Sequence, residues 1–571
     1  MNKTQPPDKR RFFPLFILVT FSTTILSGVA GTLLPSVGFL PVIGHTRMTI
    51  QPWIDFFAYP GVLTSIFISL FSGLTAAVSV VVLAFLFVCF SYGTRVWRLF
   101  EQFLSPVLSI PHAAFAVGFA FLIAPSGWLV RVVSPGLTGF THPPDWILLN
   151  DPYGLSLTFA LVIKEFPFLI LVIMGALGQM NVRKILTVGK SMGYSKEQVW
   201  FKVLIPQLYP RLRLSVYAIV AYSLSVVDMA ILLGPGSPPT LAVLILQWCN
   251  NPDVNLKLMA SVGSIVLLLI VISSVLLIRI SEKITGILTR GWVSNGGRVS
   301  ILAVFKPVIR LKGIGILIVT FLSSVTLIIW SMTWQWRFPD ILPKTWTLRF
   351  WEKGIMSSLD PLTVTVLTGA AASFVALVLA IGCMEYDLAL KNTKKKAGLS
   401  RYISWFIYLP LLIPQVSFMA GVQLLLVLLN LDGRWVVLVW SHLLFVLPYT
   451  FIVLSGTYKA FDNRMSDQAI ILGKSYIKAL FRVKLPMLLR PILFAFAIGF
   501  SVSVAQYIPT VLIGAGRFST ITTEVVNIAA GPDRRVLAVY ALIQQLLPLL
   551  IYALAIMIPK ILFYNRKQMQ V

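Results

Sequence analysis

Runs of about twenty apolar residues recur along the whole chain, separated by shorter polar stretches, and each is long enough for a helix to cross about 30 Å of hydrocarbon. Twelve such runs are present, near 12-34, 61-90, 104-125, 155-178, 212-234 and 258-280, then near 311-332, 359-383, 404-429, 436-458, 491-513 and 538-563. Continuous apolar runs predict helices, because backbone groups left unpaired in lipid are costly and barrel strands would be about ten residues of alternating polarity. The expected fold class is an all-α polytopic membrane protein, six helices to each half.

Composition agrees: 57% hydrophobic and 12% charged residues in 571 are far from soluble-protein usage. The net charge of +27 raises nucleic acid as a partner, but most of the Lys and Arg fall in or beside segments that a topology with both termini inside makes cytoplasmic. That basicity is an orientation signal, and no nucleic-acid partner is expected. The first run follows Lys9-Arg10-Arg11 without a small-residue cleavage pattern and is read as a retained signal anchor. Cys89, Cys249 and Cys383 are widely spaced and read as packing residues. His45, His112, His142 and His442 are scattered, with no metal-ligand or nucleophile motif, so no catalytic residues, no metal and no enzyme activity are expected.

The second half repeats the first. "TVGKSMGYSKEQVWFKVLIP", residues 187-206, has its counterpart in "DQAIILGKSYIKALFRVKLP", residues 467-486, at an offset of 280. Gly193 then falls on Gly473, Phe201 on Phe481, Val203 on Val483 and Pro206 on Pro486; further on, Ser223 meets Ser503, Gly234 meets Gly514 and Thr240 meets Thr520. Upstream, "IPHAAFAVG" (110-118) matches "IPQVSFMAG" (413-421) at an offset of 303, which puts extra chain in the Pro- and Gly-rich segment around 126-154. Six spans per half is an even number, so the copies are parallel repeats related by an axis along the membrane normal. The predicted units are 1-290 and 291-571, joined by a basic linker near 281-310 that contains "SNGGR".

Gly189-Lys190-Ser191 resembles the end of a P-loop, but Lys184 stands where the first glycine is required, and Gln468 does so before Gly473-Lys474-Ser475. Without that glycine and a preceding strand there is no phosphate cradle, so this chain is not expected to bind nucleotide. Ser195 followed by Gln198 has capping-box spacing, which predicts a helix restarting after a glycine turn and running towards Pro206.

The helix, glycine turn, helix pattern resembles the EAA loop of ABC-importer permeases: Glu-Ala-Ala, three residues, Gly, nine residues, Ile-x-Leu-Pro. It lands on Thr187-Val188-Gly189, Gly193 and Val203-Leu204-Ile205-Pro206, and on Asp467-Gln468-Ala469, Gly473 and Val483-Lys484-Leu485-Pro486. The Gly and Pro spacing is intact twice, while the Glu-Ala-Ala triplet itself is lost in the first copy and only partly kept in the second, at Ala469. The resemblance covers almost the whole chain and is to fused permeases such as those of thiamine and ferric-iron importers. It implies a type I (MetI-like) permease fold in a bacterial cytoplasmic (inner) membrane, with Thr187, Gly189, Gly193, Val203, Ile205, Pro206, Asp467, Ala469, Gly473, Val483, Leu485 and Pro486 in the ATPase-coupling loops. It also implies two copies of a separate ABC ATPase, which carries the ATP and Mg, and a separate periplasmic or extracellular solute-binding protein. The chain itself is expected to hold no cofactor.

Ionisable residues inside the membrane cost about 2.5–3.5 kcal/mol on insertion scales and mark pathways or helix contacts. Asp228, within "LSVVDMAILLGPG", and Glu165, beside Lys164, lie in such runs. The repeat partner of Asp228 is Ile508, with Gln506 nearby. Asp228, Glu165 and Gln506 are candidates for a translocation path, as are Pro111 and Pro414, whose bends would let carbonyls line a cavity. An ion-gradient-driven secondary transporter using Asp228 or Glu165 is the alternative, and it leaves the duplicated Gly and Pro spacing without a reason.

Overall fold

The computed structural model describes residues 11–41, 44–296, 304–392 and 406–564. Lys9 and Arg10 of the predicted anchor flank, the end of "SNGGR" and the first residues of the 404-429 run lie outside the described residues. The first half contains α1 (Phe12–Ser36), α2 (Gln51–Ala58), α3 (Val62–Ser91), α4 (Arg95–Ser109), α5 (His112–Ile123), α6 (Trp128–Val133), α7 (Leu155–Leu177), α8 (Val182–Ser191), α9 (Lys196–Val199), α10 (Ile205–Ser225), α11 (Asp228–Leu233), α12 (Leu241–Cys249) and α13 (Val254–Ser294). The second contains α14 (Lys306–Ser331), an antiparallel ribbon of β1 (Thr333–Gln335) and β2 (Thr345–Trp346), α15 (Arg349–Asn392), α16 (Phe406–Leu412), α17 (Gln415–Leu428), α18 (Trp435–Ala460), α19 (Arg464–Ile471), α20 (Tyr476–Ala479), α21 (Leu485–Met487), α22 (Leu489–Val504), α23 (Ile508–Gly514), α24 (Ile521–Ala529) and α25 (Arg534–Leu562).

Among the described residues, nine helices are long and apolar enough to cross a membrane, and two bent pairs bring the number to eleven. The remaining expected span, 212-234, is α10 plus α11, interrupted where Val226 turns to extended backbone (ψ 136°). Two boundaries differ from the sequence reading. The third span is His112–Val133 rather than 104-125, because Pro111 separates it from the amphipathic α4. The predicted linker from 281 is helix as far as Ser294, so α13 runs on well beyond its apolar stretch. Pro167 and Pro448 sit inside continuous helices α7 and α18, whereas Pro414 stands at the 109° bend between α16 and α17.

The halves exchange their first helices. α1 packs on α17 and α15 of the second half as well as on α13 of its own, and α14 packs on α5, α3 and α4 of the first half as well as on α25 of its own. The crossing points explain the glycine that ends both Ile-Pro motifs. A β-carbon on Gly421 would lie 1.9 Å from the Gly28 carbonyl oxygen, and one on Gly118 would lie 2.7 Å from that of Ser323. Small residues let backbones meet this closely, as is usual where helices associate in lipid. The Thr32 hydroxyl donates to the Ser417 carbonyl across the same contact, at 3.0 Å. At the opposite end from the linker, the buried Arg131 donates to the carbonyls of Trp336 and Arg337, at 3.2 and 2.7 Å, and joins the halves again.

Overpacking this crossing tests the exchange. Gly421→Val is expected to destabilise the chain by about 1–3 kcal/mol. Gly456→Val, in α18 with no atom near its β-carbon position, is the control. The readout is the thermal unfolding midpoint in detergent, and equal midpoints for the two variants would refute the close contact.

Candidate functional site

The repeated loops fold alike, residue for residue. α8 ends, Gly193 reverses the chain at φ +81°, and the Ser195 hydroxyl caps α9 by accepting from the Gln198 N–H at 3.3 Å. In the second copy α19 ends, Gly473 turns at φ +82°, and Ser475 accepts from the Lys478 N–H at 3.4 Å. Such positive φ strains most residues with a β-carbon, so the turn itself favours glycine here. Each one-turn helix then widens into five π-helical residues, Trp200–Leu204 and Leu480–Lys484. Pro206 and Pro486 follow at the start of α10 and α21, where a missing N–H costs nothing. Single π turns inside helices are frequent at functional sites.

Thr187 and Gly189 lie on α8, Asp467 and Ala469 on α19, Val203 and Val483 in the π turns, and Ile205 and Leu485 at the next helix starts. Gly189 is the packing point of α8 on α9, since a β-carbon there would be 2.3 Å from Val199 Cγ2. Apolar side chains crown both turns: Met192 is 59% exposed and its repeat partner Leu472 81%. Beside the first turn a groove of about 410 Å³ runs between α8, the π turn and Val293 of α13.

Each elbow is pinned by a buried charge that sequence reasoning missed. Glu197 accepts from the Lys306 ammonium of α14 at 2.6 Å, while Lys202 donates to the Asn295 carbonyl and lies 5.2 Å over the Trp292 ring. Burial pushes the Glu197 carboxyl up, but the hydrogen bond from Lys306, the backbone and the ammonium charge outweigh it and hold it below its usual range. In the second elbow Lys484 meets Glu385 of α15 at 2.6 Å, and the Tyr458 and Tyr476 hydroxyls donate to the same carboxylate. Lys484 takes the repeat position of Leu204, so no single-copy pattern marks it.

Between the halves lies a cavity of about 140 Å³. The α10–α11 and α22–α23 spans both break beside it, at Val226-Val227 and at Ala505–Tyr507, where irregular backbone is tolerated only against protein or water. Its wall brings together Asp228, Glu165 and Gln506 with His112 and Gln415. Pro111 and Pro414 are not on the wall; each stands one residue back and caps the helix that His112 or Gln415 begins. His112 and Gln415 hold the same position of the repeated Ile-Pro motif, a signal that could have found them. Glu165 Oε1 is 3.5 Å from His112 Nε2, and Gln415 Nε2 donates to Gln506 Oε1 at 3.2 Å. Lys164 turns away from Glu165 and donates to the carbonyls of Val107 and Ile110.

Comparison with models of known protein families finds no match. Comparison with individual proteins does. Over 540 residues the chain is 33% identical to the inner membrane ABC transporter permease protein YnjC of Escherichia coli (strain K12), covering 93% of this chain and 96% of that one. Shorter matches reach the spermidine/putrescine transport system permease protein PotC of the same strain, 20% identical over 34% of this chain and 70% of PotC. The putative 2-aminoethylphosphonate transport system permease protein PhnV of Salmonella paratyphi A is 27% identical over 36% of this chain and 77% of PhnV.

Proposed function

Because the chain belongs to the permeases of ABC transporters, multi-pass inner-membrane subunits that are not themselves the ATPase, we propose that it is a fused, two-half permease of a type I importer. Two copies of an ATPase subunit dock beneath the paired elbows and carry the ATP and Mg, and a separate binding protein delivers a small solute from the opposite face. Both termini and both elbows are cytoplasmic in this reading. Matches that take about a third of this chain but most of PotC and PhnV suit a chain built from two permease units.

The observation that carries the reading is the doubled elbow. Two glycines at φ +81° and +82°, two serine caps and two π turns at matching positions present the same rigid shape twice. Closure of the ATPase dimer would move both elbows, and α10 and α22 would carry that motion to the helix breaks at the cavity. Thr187, Gly189, Gly193, Val203, Ile205, Pro206 and their second-half counterparts form the coupling element, while Asp228, Glu165 and Gln506 face the path.

Isolating the chain from its native membrane in mild detergent tests this, with co-elution of an ABC ATPase as the expected result. The exposed apolar crown predicts which contact matters: Met192→Asp with Leu472→Asp is expected to lower ATPase recovery at least about tenfold, since burying an unpaired charge costs several times the about 1.4 kcal/mol that factor represents. No ATPase with the intact chain would favour an ion-driven transporter instead.

A further inference from the structure

We propose that the central cavity receives a small organic cation, held by Asp228. This rests on reading the chain as the translocating subunit and narrows its cargo. Asp228 is 8% exposed and lines the cavity. Among the described residues no Lys, Arg or His lies within ion-pair distance of it; the one imidazole on the wall, His112, is 3.5 Å from Glu165 and attracts Asp228 only from farther away. The wall therefore carries two carboxylates and, among the described residues, no Lys or Arg.

The Asp228 carboxylate accepts backbone N–H groups at the start of α11, yet a buried carboxylate with no charge paired directly to it stays costly, and a partner charge repays the hydration it has lost. An entering cation is that partner, whereas an anion would meet two like charges. Tyr222, Tyr449 and Tyr507 also line the cavity, and aromatic faces attract ammonium groups. Among the described residues no group of three His, Cys, Asp or Glu could hold a metal ion, so an organic cation fits the wall better than a bare one. The site is one-sided, since the repeat position of Asp228 is Ile508.

The test uses the full-length chain in nanodiscs at fixed ionic strength, with butane-1,4-diamine, its neutral isostere butane-1,4-diol, succinate and magnesium chloride as probes. The diamine at about 10 mM is expected to raise the unfolding midpoint by about 3 °C, and the other three to leave it unchanged. Asp228→Asn should remove the shift. Gln506→Glu keeps an acceptor for Gln415 and adds a carboxylate, so it should enlarge the shift about twofold or more, a gain that misfolding cannot imitate. No shift in the wild type, an equal shift with any other probe, a shift that survives in folded Asp228→Asn, or no gain in Gln506→Glu would each overturn the inference. ATPase co-elution from the same membranes separates the two readings. If the ATPase is retained and the diamine has no effect, the cation assignment alone falls; if the wild type brings down no ATPase, the proposed function falls with it.

Discussion

Valine at both Gly193 and Gly473 is expected to abolish ATP-driven uptake and ATPase co-elution while the chain remains in the membrane at near-normal amounts. Both glycines hold left-handed backbone, at φ +81° and +82°. A residue with a β-carbon costs about 1–2 kcal/mol there, and a β-branched one is a genuine outlier. Around Gly473 a β-carbon would meet no neighbour within 4 Å, so the damage comes from the backbone and not from crowding. The chain escapes by changing the turn, which misplaces the serine cap, the π turn and the crown of Met192 and Leu472. If both penalties are relieved by undocking, about 2–4 kcal/mol corresponds to about thirtyfold to nearly a thousandfold weaker binding. Asparagine, which tolerates positive φ, should keep most of the uptake at the same positions. Normal ATPase recovery by the double valine variant would remove the elbows from the coupling path.

Breaking the buried pair in the second elbow should have the largest effect on stability. Glu385 and Lys484 are 6% and 3% exposed, and two tyrosine hydroxyls depend on the same carboxylate. Glu385→Ala strands an ammonium in the interior, for an expected loss of about 3–5 kcal/mol. Combining Glu385→Gln with Lys484→Met removes both charges at similar volume, and most of the loss should return. In the first elbow the Lys306 side chain is 36% exposed. Solvent screens that pair, so Glu197→Gln should cost no more than about 1 kcal/mol. Unfolding midpoints of the solubilised variants decide the matter. A double variant as unstable as Glu385→Ala would mean that shape, not charge, holds the elbow.

The helices and their duplication were legible because lipid enforces long apolar runs and because glycine and proline record backbone geometry directly. Gly193 thus announced a turn that Gly473 repeated, and Ser195 the helix start after it, whereas Pro206 was read as where that helix leads and not as the start of α10. What stayed hidden depends on neighbours distant in sequence. The glycines at 118 and 421 could be matched, but not assigned to the exchanged helices they touch. Nothing local distinguishes Glu385, at the end of an apolar run, from a solvated flank, because its partner is 99 residues away. Asp228 was visible as an oddity in an apolar run, yet the helix break at its N-terminal side was not, since Val226 and Val227 carry no breaker signal. His112 and Gln415 were overlooked beside the prolines that drew notice.

The exchange of first helices also sets a schedule for synthesis. The Thr32 hydroxyl waits for a carbonyl 385 residues later in the chain. At about 5–20 residues per second, α1 spends about 20–80 s in the bilayer before α17 has been made. During that time its glycines and Thr32 face lipid or a temporary companion, so neither half can reach its final packing as an independent product of the ribosome. A premature stop anywhere before the second half would release a chain whose first helix has at most α13 beside it and whose face towards α17 is still uncovered.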